Sequence, residues 1–174
     1  MKAAILLVAL APWLAALSAR ADVVERGGDL GSILLPAGAV AGTLVAKDTR
    51  GLGQFAAAYA SAMAVVYVLK PSVDRTRPDG GRHSFPSGHT ASAFAGAAFV
   101  QRRCGWRLGV PAYTLASFVG YSRVEAKRHY TSDVVAGAAI GIAANCAFTH
   151  SREHVSLGFD LGGSRAGPVV TIVW

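Results

Sequence analysis

The chain has 174 residues, of which 52% are apolar and only 16% charged, and its formal net charge at pH 7 is +7. This length suits one domain, and its 20 glycines among many alanines favour closely packed helices, in water or in lipid. The positive charge would suit nucleic acid, an anionic membrane surface or a phosphate substrate. Few aromatic residues lie among the basic ones, which disfavours nucleic acid. We therefore expect a membrane surface and a phosphate compound as partners, and no feature indicates an obligate protein partner.

The first 21 residues have the pattern of an export signal. They begin with a lysine, continue with an uncharged apolar centre at residues 3–17 and end in Ala-Arg-Ala, a small-x-small cleavage pattern. The alternative is an uncleaved anchor, but the apolar centre is shorter than the roughly 20 residues of a spanning helix. We expect residues 1–21 to be removed and residues 22–174 to form one domain in the periplasm or cell envelope, either attached to the membrane or embedded in it.

Five uncharged stretches, each bounded by charges, glycine or proline, predict five helices. They span residues 31–46, 51–69, 90–101, 108–122 and 134–149. Their lengths favour a soluble bundle over a set of membrane spans, because only the second approaches the length of a span. Between the second and third stretches, three prolines and two glycines predict a long irregular loop at residues 71–86.

The end of the chain has a different pattern. The segment VSLGFDLGGSRAGPVVTIVW alternates apolar and polar residues, passes through a glycine-rich turn and ends in a Val/Ile/Thr run. This pattern is typical of a β-hairpin. The predicted fold is therefore an all-α bundle of about five helices with a short C-terminal β-hairpin.

Residues suited to phosphate chemistry lie at the ends of the apolar stretches. In chain order they are Lys70, Arg77, Ser87, Gly88, His89, Arg123, His129 and Asp133. If successive helices alternate in direction, these ends meet on one side of the bundle. Three fixed cations and the backbone N–H groups of a helix start could then stabilise the charge of a phosphoryl group without a metal.

The two histidines of this set have complementary predicted roles. Asp133 lies four residues after His129, so its carboxylate could hold one imidazole nitrogen and leave the other as a nucleophile. His89 could protonate the leaving oxygen and later activate water. The simpler alternative for the His129–Asp133 spacing is a helix cap or a surface pair. A zinc site is disfavoured by the surrounding cations.

These residues form three motifs: Lys70-x6-Arg-Pro, Pro-Ser-Gly-His89 and Ser-Arg-x5-His129-x3-Asp133. The motifs resemble the signature of the type 2 phosphatidic acid phosphatases, whose superfamily includes bacterial non-specific acid phosphatases and vanadium-dependent haloperoxidases. The match covers eleven signature positions over about residues 50–148.

The resemblance implies a helical-bundle phosphatase without a cofactor or metal. It implies His129 as the nucleophile that becomes phosphorylated, Asp133 as its orienting partner and His89 as the general acid. By the same resemblance, Lys70, Arg77, Ser87, Gly88 and Arg123 would hold the phosphoryl oxygens.

We therefore expect an exported phosphatase acting on a lipid phosphate monoester or pyrophosphate. The alternatives are a broad-specificity periplasmic acid phosphatase, a vanadate-dependent haloperoxidase and a non-catalytic protein that binds phosphate headgroups. Cys104 and Cys146 are expected together at the far end of the bundle, either paired or as buried thiols.

Overall fold

Five helices and one hairpin make up the part of the chain that the structure describes. A computed structural model describes residues 2–151, 154–160 and 167–173, with side chains from residue 22 to residue 151. The helices are α1 (Lys2–Val45), α2 (Thr49–Val73), α3 (Gly88–Cys104), α4 (Trp106–Glu125) and α5 (Thr131–Phe148). The strands β1 (His154–Asp160) and β2 (Gly167–Val173) pair antiparallel, with Leu157 opposite Val170. The predicted all-α bundle with its C-terminal hairpin is confirmed.

All five helices are longer than the uncharged stretches that predicted them, and three of them have the length and composition of a membrane span. Asp22–Val45 of α1, all of α2 and all of α5 are long and apolar enough to cross a membrane, with mean hydropathies of 1.4, 1.6 and 1.3. The helices continue past the charged residues that bound the stretches, because such residues can lie at a helix end outside the hydrocarbon layer. The length argument for a soluble bundle was therefore wrong. The predicted cleavage point after residue 21 lies within α1, and removal of the leader stays a prediction.

Helix α3 is the centre of the bundle and packs against all four other helices. Half of its buried residues are alanines, and Ala93 and Ala97 share a core cluster with Leu35 of α1 and Ala116 of α4. Small side chains let the neighbouring helices approach α3 closely. The start of α3 is thereby fixed relative to the ends of its neighbours.

Glycines allow the closest of these approaches. A Cβ at Gly141 of α5 would lie 2.6 Å from the carbonyl oxygen of Ala91 in α3. A Cβ at Gly137 would lie 2.4 Å from the carbonyl oxygen of Ser87, at the start of α3. Real Cβ atoms do not approach an oxygen so closely, so α5 can lie against α3 only where it has glycine. The predicted close packing of helices is confirmed.

The outer faces of α1 and α2 carry large apolar side chains. Leu30 and Leu34 of α1 and Val68 of α2 are each about 60% exposed or more. Isolated exposed apolar residues are ordinary, but this concentration on helices of spanning length suits contact with lipid.

Both cysteines are free and exposed, so the structure shows neither the pairing nor the burial expected of them. The basic pair beside Cys104 has specific partners. Arg102 Nε donates to the carbonyl oxygen of Thr149 at 2.7 Å, and the buried Arg103 forms an ion pair with Asp48, the N-cap of α2. These contacts hold the far end of the bundle together.

Candidate active site

One cavity of about 560 Å³ brings most of the predicted site residues together. Its lining includes six of the eight: Lys70, Arg77, Gly88, His89, Arg123 and His129. They come from the end of α2, the following loop, the start of α3, the end of α4 and the α4–α5 loop. The expected convergence of helix ends is therefore present in the structure. Ser87 and Asp133 are fully buried behind this wall.

His129 is held by a backbone carbonyl. Its Nδ1 lies 2.6 Å from the carbonyl oxygen of Ser84, and a carbonyl can only accept, so Nδ1 carries the proton. The other nitrogen, Nε2, then has a free lone pair. Since His129 lines the cavity and is 3% exposed, a nucleophilic nitrogen is available there with little access to bulk water.

Asp133 does not hold the imidazole directly, which corrects the role predicted for it. Its Oδ2 is 3.8 Å from Nδ1 of His129, too far for a hydrogen bond. The carboxylate instead accepts hydrogen bonds from the Ser84 hydroxyl, from Arg75 Nη1 at 2.9 Å and from the backbone N–H of Tyr130 at 3.0 Å. Asp133 therefore fixes Ser84, and Ser84 fixes His129.

Ser87 is the N-cap of α3, which revises its predicted contact with phosphate. Its hydroxyl oxygen accepts from Thr90 Oγ1 at 2.9 Å, and its backbone N–H donates to the Asp133 carbonyl at 3.0 Å. The next two N–H groups, of Gly88 and His89, have no partner within the described part of the chain. These first N–H groups of a helix form an anion-binding terminus at the cavity wall.

Lys70 and Arg77 supply positive charge from the α2 side. Lys70 Nζ donates to the carbonyl oxygens of His83 and Pro86, both at 3.1 Å, which leaves its third proton for a ligand. Arg77 has a buried Nε without a partner among the described residues. A buried donor left unpaired is costly, so this nitrogen suits an oxyanion bound in the cavity.

Arg123 supplies the third predicted cation and is 3% exposed at its side chain. It donates to Oδ1 of Asp29 at 2.7 Å, to the carbonyl oxygen of Glu25 at 2.6 Å and to the Ser122 hydroxyl at 3.1 Å. Glu25 and Asp29 lie on α1 and also line the cavity. Sequence reasoning missed both, because they belong to none of the three motifs and lie nearly 100 residues before Arg123.

A fourth cation, Arg128, lies at the rim of the cavity. Its guanidinium bridges Glu25 Oε1 at 2.8 Å and Asp79 Oδ2 at 3.1 Å. It thus links α1 to the loop that follows α2. Sequence reasoning missed Arg128 as well, although it directly precedes His129 in the chain.

The surroundings of His129 lower its pKa from 6.5 to about 4. Burial is the largest cause, and the positive charges of Lys70 and Arg77 add to it, while the Ser84 carbonyl and Asp133 act in the opposite direction. A lowered pKa means that the imidazole loses its proton as the pH rises through about 4. His129 is therefore neutral, and nucleophilic, at pH 7.

We expect NMR of the histidine-labelled protein in detergent to show this directly. The resonance that disappears in His129→Ala should titrate near pH 4. Titration of that resonance near 6.5, the ordinary value for histidine, would contradict the electrostatics described here.

The sequence of this chain is similar to those of several known proteins. The sequence profile of the PAP2 superfamily matches residues 79–156. A lipid A 1-phosphatase of Porphyromonas gingivalis is 51% identical over 77 residues, which cover 42% of this chain and 17% of that protein. A lipid A 4'-phosphatase of Helicobacter pylori is 34% identical over 110 residues, covering 56% of each chain. The chain thus spans only 17% and 56% of the lengths of these two curated relatives.

Two crystal structures share the fold. Aquifex aeolicus LpxE superimposes with a TM-score of 0.66 at 23% identity, over 73% of this chain and 83% of that one. A transmembrane PAP2-type phosphatidylglycerolphosphate phosphatase from Bacillus subtilis gives a TM-score of 0.62 at 26% identity, over 79% of this chain and 75% of that one. The helical bundle is therefore one that known proteins share.

Proposed function

Because this chain belongs to the PAP2 superfamily, we propose that it is a membrane-associated phosphatase that hydrolyses a lipid phosphate through a phosphohistidine intermediate, without a metal. The export pattern of residues 1–21 supports a site on the outer side of the cytoplasmic membrane. The chemistry of the cavity carries the proposal.

The cavity has a cationic end and an apolar wall. The cationic end is formed by Lys70, Arg77 and Arg123 around the start of α3. The wall includes Ile33 and Pro36 of α1 and Met63, Val66 and Tyr67 of α2. A phosphate headgroup would bind the cations while the attached lipid lies along the apolar residues. A small polar phosphate ester would leave that wall in contact with water, so this arrangement favours a lipid substrate.

The geometry of His129 supports the first chemical step. Nε2 attacks the phosphorus, and a P–N bond forms as the P–O ester bond breaks. His89 donates a proton to the leaving oxygen, which departs as an alcohol. Lys70, Arg77 and Arg123, with the free N–H groups at the start of α3, stabilise the charge on the three phosphoryl oxygens.

The second step uses the same residues. His89, now neutral, takes a proton from a water molecule as that water attacks the phosphorus. The P–N bond breaks, inorganic phosphate leaves, and His129 returns to its neutral form, in which Nδ1 still donates its proton to the Ser84 carbonyl. No external oxidant, reductant or metal enters the reaction.

The relatives differ in the lipid for which they are named. The relatives are named for lipid A and, in a protein of Schizosaccharomyces pombe that is 38% identical over 96 residues, for diacylglycerol pyrophosphate. These are monoesters and a pyrophosphate on lipids of different shape. The apolar wall is compatible with each, so the substrate has to be found by assay.

The test is phosphate release from a panel of substrates in the presence of EDTA. The panel contains lipid A, phosphatidic acid, phosphatidylglycerophosphate, undecaprenyl pyrophosphate and p-nitrophenyl phosphate. We expect turnover of at least one lipid that survives chelation. Release from p-nitrophenyl phosphate alone would indicate a broad acid phosphatase instead. No release from any member would contradict the proposed activity, and vanadate-dependent halide oxidation would then be the assay to run.

A further inference from the structure

Asp29 of α1 contacts two residues of the site with one oxygen atom. Its Oδ1 lies 2.7 Å from Nη1 of Arg123 and 3.3 Å from Nε2 of His89. The carboxylate is half-exposed and lines the cavity beside both partners. An acidic group is unexpected where a phosphate has to bind, because it repels the substrate. Its position therefore calls for a function that offsets that repulsion.

We propose that Asp29 is a positioning residue that holds His89 in its proton-donating form and aligns it with Arg123 for protonation of the leaving group. The inference rests on the proposed phosphatase function and deepens it. It adds a residue from α1 to a mechanism that the three motifs place entirely on the other helices.

Other groups around His89 disfavour its protonated form. Burial lowers the pKa of His89 below 6.5, and Arg123, Lys70 and Arg77 lower it further, whereas Asp29 raises it. These groups come from α1, α2, the loop after α2 and α4, which are the elements that face the imidazole. Asp29 is the single acid among them, so it is the group that opposes the loss of the proton from His89.

The geometry also determines which nitrogen of His89 can donate a proton to the leaving oxygen. With Nε2 of His89 against the carboxylate, the nitrogen left for the leaving oxygen is Nδ1. A carboxylate on one nitrogen stabilises the imidazolium while the other nitrogen gives its proton away. The same oxygen holds Arg123, so the proton donor and one phosphate-binding cation are fixed relative to each other.

A glycine in α1 lets this helix lie close enough to α4 for Asp29 to reach Arg123 and His89. A Cβ at Gly28 would lie 1.8 Å from the hydroxyl oxygen of Ser122 and 2.7 Å from Nη2 of Arg123. Only a residue without a side chain allows α1 to lie this close to α4. Asp29 follows directly, and so its carboxylate reaches both Arg123 and His89.

The experiment compares two substrates that differ in their need for a proton donor. p-Nitrophenolate is a stable leaving group, whereas the alkoxide of phosphatidic acid has to be protonated as it leaves. In Asp29→Asn we expect kcat for phosphatidic acid in mixed micelles to fall about tenfold or more relative to kcat for p-nitrophenyl phosphate. Glu25→Gln removes a rim carboxylate one turn earlier on α1, and we expect it to keep the wild-type ratio of the two rates. Asp29→Glu should recover part of the lost ratio.

The pH profile gives a second readout. Removal of the carboxylate lowers the pKa of His89, and His89 has to be protonated to act as an acid. The alkaline limb of kcat/KM for phosphatidic acid should therefore move to lower pH in Asp29→Asn than in the wild type. Ionisation of the substrate is the same for both proteins and does not affect the comparison.

The outcomes separate this inference from the proposed function. A wild-type protein that releases no phosphate from any member of the substrate panel refutes the function itself. If phosphatidic acid is not turned over, the best lipid monoester of the panel takes its place in this comparison. An active wild type with equal loss on both substrates in Asp29→Asn, total loss included, shows that Asp29 acts through phosphate binding alone and overturns the inference. An unchanged ratio with an unmoved alkaline limb overturns it as well.

Discussion

Replacement of His129 with alanine is expected to lower phosphate release by about a thousandfold or more. In the proposed mechanism His129 supplies the nucleophilic nitrogen. The other described histidine that lines the cavity is His89, whose Nε2 lies against Asp29. The measurement is kcat on the best substrate of the panel, in purified protein whose thermal unfolding is recorded beside it. A phosphate-binding protein without catalysis would keep its ligand affinity in this variant and show no turnover in either form.

The matched control is His150→Ala. His150 is exposed at the far end of the bundle and contacts Gln54 with its ring at 3.4 Å, so its loss should leave kcat unchanged.

A second control traps the intermediate. With radiolabelled substrate and an acid-avoiding quench, the wild type should carry label that is stable in base and labile in acid, and His129→Ala should carry none. Turnover in His129→Ala at more than a tenth of the wild-type rate would refute the assignment of the nucleophile.

Asp133→Asn is expected to lower kcat by about a hundredfold, although its carboxylate makes no hydrogen bond to His129. All three partners of the carboxylate are donors: the Ser84 hydroxyl, Arg75 and the backbone N–H of Tyr130. The amide of asparagine offers one oxygen, and its NH2 group faces at least one of these donors. A buried donor without a partner costs about 1–3 kcal/mol, so thermal stability should fall together with the rate.

Two further variants separate the contribution of the Ser84 link from that of the Arg75 contact. Ser132→Ala removes the other side-chain acceptor of Arg75, an exposed hydroxyl at 2.8 Å, and should cost little activity. Ser84→Ala keeps the carbonyl that holds His129 but removes the link to Asp133, so it should reproduce much of the loss of rate. If Ser84→Ala were fully active while Asp133→Asn was not, Asp133 would act on His129 directly, contrary to the 3.8 Å separation.

Much of the fold and of the site could be predicted because the relevant signals are local. The N-cap serine and the glycine that begins α3 are adjacent to His89, and the irregular loop before them has its prolines and glycines in one segment. Apolar stretches between charges predicted all five helices. Helix ends that meet on one side of a bundle then predicted the convergence of Lys70, Arg123 and His129, and the structure has that arrangement.

The lengths of the helices could not be read from the same pattern. A charged residue such as Lys70 ended a predicted helix, but α2 continues to Val73 and has Pro71 inside its last turn. Whether a charge ends a helix depends on where that part of the helix lies, in lipid or beyond it, and this is a property of the assembled bundle.

The sequence by itself predicted which residues carry the chemistry: two histidines, three cations and a glycine at a helix start. Each was recognised from its neighbours along the chain. Only the tertiary structure decided how they are held. Ser84 and Arg75 reach Asp133 and His129 across 45 to 58 residues, and Asp29 reaches Arg123 across 94. Such partners have no sequence signal, because hydrogen bonds between distant segments depend on distances of a few ångströms that exist only once the helices have packed.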